Sequence, residues 1–249
     1  RRTEASRMTR RGMIIDPAHA RFWSTRSALE LEEGRPESGA RSALISMLLD
    51  PGHADGPGNL AQSRFLAAHI SEATRFGHMA YLLAPDRPEV RFNLAMYRLG
   101  AGELEEGWKN YQARAAANGW PLPGGLPGER WRFDENPGGT VLVTAEQGLG
   151  DEILMGSCLA DAIKVFEERG CERILLECDR RLIPLYQRSF PSINVFPRLV
   201  TRESAVTVPD YTEIVKQWNV DSHLSTGDLP ELVRGGLSRF ASVRSFFTA

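Results

Sequence analysis

The chain has few cysteines and no long apolar run. Its 249 residues carry three cysteines, Cys158, Cys171 and Cys178, with no C-x-x-C pair among them. An odd, unpaired set argues against a disulfide framework and fits a reduced, cytoplasmic protein. No stretch approaches the ~18 apolar residues of a membrane span, and no signal peptide is legible. There is no excess of positive charge either, the formal net charge being −2. Nucleic acid is therefore not expected as an obligatory partner, because phosphate contacts need a basic surface. The opening is locally basic (Arg1, Arg2, Arg7, Arg10, Arg11) and reads as a solvated helix face or a binding patch. The histidines show no H-E-x-x-H spacing, and no metal is expected. The first residue is Arg1 and not Met, so the natural start is expected upstream.

What is present is a period. Pro17, Pro51 and Pro85 stand 34 residues apart, the length of a helix–turn–helix repeat. Asp16-Pro-Ala-His-Ala20 matches Asp50-Pro-Gly-His-Ala54. Repeat ancestry thus accounts for His19 and His53, and stacked helices about 10 Å apart could not share an ion between them. Small residues recur in register at Ser27, Ala61 and Ala95, and again at Gly39, Ala73 and Gly107. Gly34 and Gly102 mark turns inside units. The spacing predicts a helix over 1–15, then units near 18–51, 52–85 and 86–116. This region resembles the tetratricopeptide repeat family, which implies a helical solenoid recruiting a protein or peptide. A rigid spacer is the competing reading.

Residues 117–138 are dense in Pro and Gly, which forbids a regular element. Trp120, Trp131 and Phe133 are costly to leave in water. They should pin the connector to a domain, or else offer a sugar-stacking surface.

From 139 to 249 the pattern alternates strand and helix. Val141-Leu-Val143, Arg173–Glu177 and Ile193–Phe196 read as buried parallel strands. Apolar residues at Ile153, Leu154, Leu159, Ile163 and Phe166 suggest one helix ending at Gly170. The predicted class is α + α/β: a repeat solenoid followed by a Rossmann-like, doubly wound sheet.

Gly148-Leu-Gly-Asp151 opens the first helix of that half. No Lys-Ser/Thr follows, so it is no P-loop. As a dinucleotide fingerprint it lacks the third glycine, and Asp151 places negative charge where a pyrophosphate would sit. Glu177 and Asp179 could still imitate a ribose-binding acid. Two further readings stay open. Asp151 complements the helix dipole, or it faces the cleft at the carboxyl ends of the strands as a proton acceptor. The string Ala145-Glu-Gln-Gly-Leu-Gly-Asp-Glu-Ile153, with Glu177-Cys-Asp179 and Ser189-Phe-Pro191, resembles the heptosyltransferase-like GT-B glycosyltransferases, including bacterial proteins that join such a domain to tetratricopeptide repeats. The resemblance implies sugar transfer from a nucleotide-sugar to a hydroxyl, with Asp151 as base. Glu146, Gln147, Gly148, Leu149 and Gly150 would line the substrate site. Neither a cofactor nor a metal is implied. GT-B enzymes hold the donor mainly in a second Rossmann-like domain; only one such domain is read up to Ala249, so the sequence is expected to be a fragment or a truncated relative. The alternative is an interaction scaffold with a non-catalytic α/β half.

Overall fold

A computed structural model describes residues 2–199, 201–203, 206–240 and 247. The chain divides into two compact units, Arg1–Trp120 and Pro121–Ala249.

The first unit is a helical repeat. Helix α1 (Arg2–Ile15) is followed by three hairpins: α2 (Ala20–Glu32) with α3 (Pro36–Leu49), α4 (Asp55–Leu66) with α5 (Ile70–Leu83), and α6 (Pro88–Gly100) with α7 (Leu104–Tyr111), then a short α8 (Arg114–Ala117). The second helices begin at 36, 70 and 104, so the 34-residue period of the sequence is the period of the fold. The three prolines lie in the turns between hairpins, where a missing N–H costs nothing. Trp23 donates its indole N–H to the Pro17 carbonyl at 2.8 Å. The small residues do the packing expected of them. Ser27, Ala61, Ala95 and Ala73 are wholly buried, and a Cβ on Gly39 or Gly107 would lie 2.7–2.8 Å from the side chain of Leu31 or Leu99. Inside each hairpin one residue takes a left-handed backbone: Gly34 at φ 72°, Gly102 at φ 79° and, in the middle unit, Ala68 at φ 60°. Alanine there carries a Cβ penalty that glycine avoids.

The second unit is built on a four-stranded parallel sheet: β1 (Thr140–Thr144), β2 (Arg173–Cys178), β3 (Asn194–Pro197) and, after a small antiparallel pair of β4 (Thr201–Glu203) and β5 (Val206–Val208), the last strand β6 (Ser222–Ser225). The order is β3-β2-β1-β6. Between strands lie α9 (Leu149–Gly156), α10 (Leu159–Glu168), α11 (Ile183–Ser189) and α12 (Thr212–Trp218), and α13 (Leu229–Val233) follows β6. Strand residues point alternately to opposite faces. Val141 and Val143 join a large cluster with Leu159, Ile163, Phe166, Tyr186 and Leu229. Leu142 and Leu175 join a smaller one with Tyr211, Ile214 and Trp218. The sheet is therefore covered on both faces.

The Pro/Gly-rich connector packs against this sheet. Trp131 is buried against Phe166, its backbone N–H bonds the His223 carbonyl at 2.8 Å, and Phe133 lies edge-on to it. Trp120 stays about a third exposed, at 36%. One expectation needs correcting. The helix after β1 is two helices, broken at Ser157–Cys158, where the Ser157 hydroxyl bonds back to the Leu154 carbonyl. The buried face keeps one phase through the break, from Glu152, Met155 and Gly156 to Leu159, Ile163 and Phe166, and Ile153 and Leu154 lie off that face and are exposed. Gly156 lies so close to the Tyr186 hydroxyl that a Cβ would come within 2.6 Å.

Candidate functional site

The strands are parallel, so their carboxyl ends gather four loops along one edge. Those after β1 and β6 are neighbours, because these strands pair directly. The chain leaves β1 towards β2 on one side, while β6 lies on the other. That reversal is the position at which open α/β sheets present a crevice.

The two neighbouring loops share a device. The Gly148 N–H donates to Asp151 Oδ2 at 3.1 Å, and the Ser225 N–H donates to Asp228 Oδ2 at 2.8 Å. Each acid, three residues into its turn, bonds an otherwise orphaned N–H at a helix start. Glu146 joins the loops by accepting from the Ser225 hydroxyl at 2.6 Å and from the Gln147 amide at 2.9 Å. Gln147 has φ 61°, and its carbonyl accepts from Arg198 Nη2 at 2.8 Å. Gly148 and Gly150 are exposed, and a Cβ on Gly150 would meet nothing within 4 Å. Leu149 packs against the large apolar cluster, so it anchors the loop from beneath. Asp151 is half-buried, and its Oδ1 makes no hydrogen bond within the described residues. The loop therefore offers one carboxylate oxygen just after two exposed glycines.

Beneath it are charged residues whose roles no local pattern announces. Glu152, 1% exposed, takes Arg198 Nε and Nη2 on Oε1 at 2.9 and 2.5 Å and the Asp179 N–H on Oε2 at 2.7 Å. Its own backbone carbonyl accepts from the Tyr186 hydroxyl. Glu177, read from sequence as a candidate ribose acid, has both oxygens engaged. Oε2 accepts from the Ala145 N–H and the Tyr211 hydroxyl, and Oε1 from the Leu199 N–H, each at 2.7–2.8 Å. Burial pushes its pKa above the usual carboxylate range, outweighing these donors and the Arg198 charge. Asp179 caps the next turn and binds Arg181 through both oxygens, which holds its pKa down. Burial and the neighbouring carboxylates of Glu152 and Asp179 push the Cys178 thiol up to about 12, so it stays protonated and unreactive. The faint sequence signal for Glu152 was its spacing from Met155, Gly156 and Leu159 on one helical face. Arg198, 46 residues further on, gave none.

Among the described residues no three His, Cys, Asp or Glu side chains stand close enough to hold a metal, and no helix is long and apolar enough to cross a membrane.

No family model matches the chain. It is similar to Protein FlbA of Caulobacter vibrioides, 28% identical over 200 residues, which are 78% of this chain and 33% of that protein. The chain thus spans about a third of the length of that relative. Among solved structures it is similar to MamA, with a TM-score of 0.43 and 15% identity over 66% of this chain and 84% of that one. It is also similar to a mutant of the O-GlcNAc transferase of Thermobaculum terrenum, with a TM-score of 0.42 and 16% identity over 78% and 37%.

Proposed function

We propose that the sheet unit is Rossmann-like and forms the acceptor-side half of a GT-B glycosyltransferase, transferring a sugar from a nucleotide-sugar to a hydroxyl. The observation that carries this is the position of Asp151: a carboxylate with one unengaged oxygen, directly after the exposed glycines Gly148 and Gly150, in the loop that follows β1 beside β6. In this reading Asp151 takes the proton of the acceptor hydroxyl as that oxygen attacks the anomeric carbon and the nucleotide leaves. Gly148 and Gly150 leave room for the sugar ring. Glu146 and Gln147 set the wall of the crevice, and Leu149 roots the loop. The donor would be held by a second Rossmann-like domain outside this sequence, and the helical repeat would recruit a protein acceptor.

The test is Asp151→Asn in the complete protein, assayed against a panel of nucleotide-sugars. Transfer should fall at least about a hundredfold, with donor binding and the circular dichroism spectrum retained. Unchanged transfer would reject the role. A second reading has its own support, since the bond from the Gly148 N–H to Asp151 gives this carboxylate a sufficient structural duty. The protein would then be a repeat scaffold with a non-catalytic sheet unit, and the complete protein would transfer no sugar from any donor.

A further inference from the structure

The helical unit displays two rows of side chains that packing does not explain. Ile14, Leu48 and Leu82 follow the 34-residue period and are 77%, 84% and 66% exposed. Beside them Ile15, Leu49 and Leu83 are also exposed. All six end the second helix of a hairpin or its counterpart α1. Seven residues earlier on the same helices stand Arg7, Arg41 and Arg75, again 34 apart and all exposed. Seven residues is two helical turns, so each arginine and its apolar tip lie on one side of a helix about 10 Å apart. Surface apolar residues scattered singly need no explanation, but six in register do.

Both rows end together. In the next unit Lys109 takes the arginine position, but Glu105 and Glu106 engage it at 3.0 Å, and Ala116 and Ala117 replace the apolar pair. The basic and apolar rows thus behave as parts of one surface.

The pockets repeat as well. One, about 400 Å³ and open, lies between α1 and α2 and is lined by Thr3, Ser6, Arg7 and Arg10. Another, about 500 Å³, lies between α5 and α6 and is lined by Ser71, Thr74, Arg75 and His78. Position for position the two sets are 68 residues apart, or two periods. Each brings together two hydroxyl-bearing residues, an arginine and a second basic group; the Thr74 hydroxyl already donates to the Ile70 carbonyl at 3.1 Å, and the remaining hydroxyls and basic groups are donors that suit an oxyanion. Carboxylates on the rims are engaged: Glu33 by Arg35 and Glu103 by Arg98, and Glu32 has a partner too.

We propose that this face docks on an anionic phospholipid surface. Headgroup phosphates take the two hydroxyl-and-arginine pockets, and the isoleucine and leucine tips enter the interface beside them. Charge complementarity selects an anionic occupant, and the apolar tips select one with an oily layer under its charge. A second copy of the chain would instead bring two arginine rows to one patch.

The test is flotation of the 249-residue chain with phosphatidylcholine vesicles containing roughly one-third phosphatidylserine, against pure phosphatidylcholine. The chain should float with the anionic vesicles, and less so at high salt. Arg7→Gln, Arg41→Gln and Arg75→Gln together should lower partitioning about tenfold or more. Ile14→Gln, Leu48→Gln and Leu82→Gln together should do the same. All six positions are exposed, so unchanged circular dichroism is expected and checked. Equal flotation with neutral vesicles, no flotation, or unaffected variants would overturn the proposal. So would inorganic phosphate binding by calorimetry without flotation, which would assign the pockets to a free oxyanion. Self-association in the ultracentrifuge that the glutamine variants abolish, again without flotation, would assign the face to a second copy.

Discussion

Glu152→Ala removes the strut under the glycine-flanked loop. The carboxylate neutralises Arg198 through two contacts and accepts the Asp179 N–H. Its loss strands a partly buried backbone donor, which costs about 1 kcal/mol, the low end of the penalty for a buried one. It also unpairs an arginine, and breaking a buried pair costs about 3–5 kcal/mol in full. Arg198 is 33% exposed and can recover part of that from water, so about 2–3 kcal/mol in total is the reasoned figure. The damage should be local as well as global. Arg198 also holds the Gln147 carbonyl, and Gln147 sits in a left-handed conformation that costs on the order of 1 kcal/mol. Native-state hydrogen exchange read by mass spectrometry gives opening free energies for the segment 145–152 and for the sheet unit separately. The decisive comparison is a double-mutant cycle with Arg198→Met. If the two side chains act as one strut, their effects overlap by about 1–3 kcal/mol. Additivity within about 0.5 kcal/mol, or exchange of the loop unchanged in Glu152→Ala, would refute the reasoning.

Two further outcomes follow from single residues. Ala68→Gly should stabilise the helical unit by about 1 kcal/mol, because it relieves a left-handed alanine where the flanking units use glycine; a lower melting temperature contradicts this. Glu177→Gln should cost about 1–3 kcal/mol, since an amide cannot accept from all three donors that the carboxylate meets. The native pKa of Glu177 is raised, so its proton-linked stability is full below the ordinary value of about 4.3 and is lost as pH rises through the native value. Urea unfolding at mildly acidic and neutral pH should therefore show a smaller penalty for the glutamine variant at neutral pH, and a growing one would reject the assignment.

Much of the helical unit was legible because each repeat writes the same instructions again. A proline that cannot continue a helix and a small residue at the helix crossing are local facts that recur every 34 residues, and a glycine marks the turn in the first and third units. Strands β1, β2 and β3 were legible as apolar runs, and the burial of Trp131 from the cost of leaving an indole in water. The phase of the helix after β1 was not legible. Ile153 and Leu154 are the apolar residues that draw the eye, yet the buried stripe runs through Glu152, Met155, Gly156 and Leu159 and leaves them outside. The struts were hidden for a different reason. Glu152 and Arg198 look like surface charge in the chain, Glu177 reads as a ribose-binding acid, and their actual partners stand 22 to 46 residues away. The loop itself was read correctly as a turn before a helix. That its acid also closes the turn on Gly148 needed coordinates.

Consider finally the bond between the Trp131 N–H and the His223 carbonyl. Strand β6 ends the sheet order, and such a border is an invitation to stray strands. Here the connector fills it. A recombination event or a cloning boundary set just ahead of Thr140 would strip that cover and bare the ring of Phe166, yielding a sticky half-protein. The heritable module therefore begins near Pro121, well before its first strand, and shuffling of this part between proteins should be tolerated only when that stretch travels along.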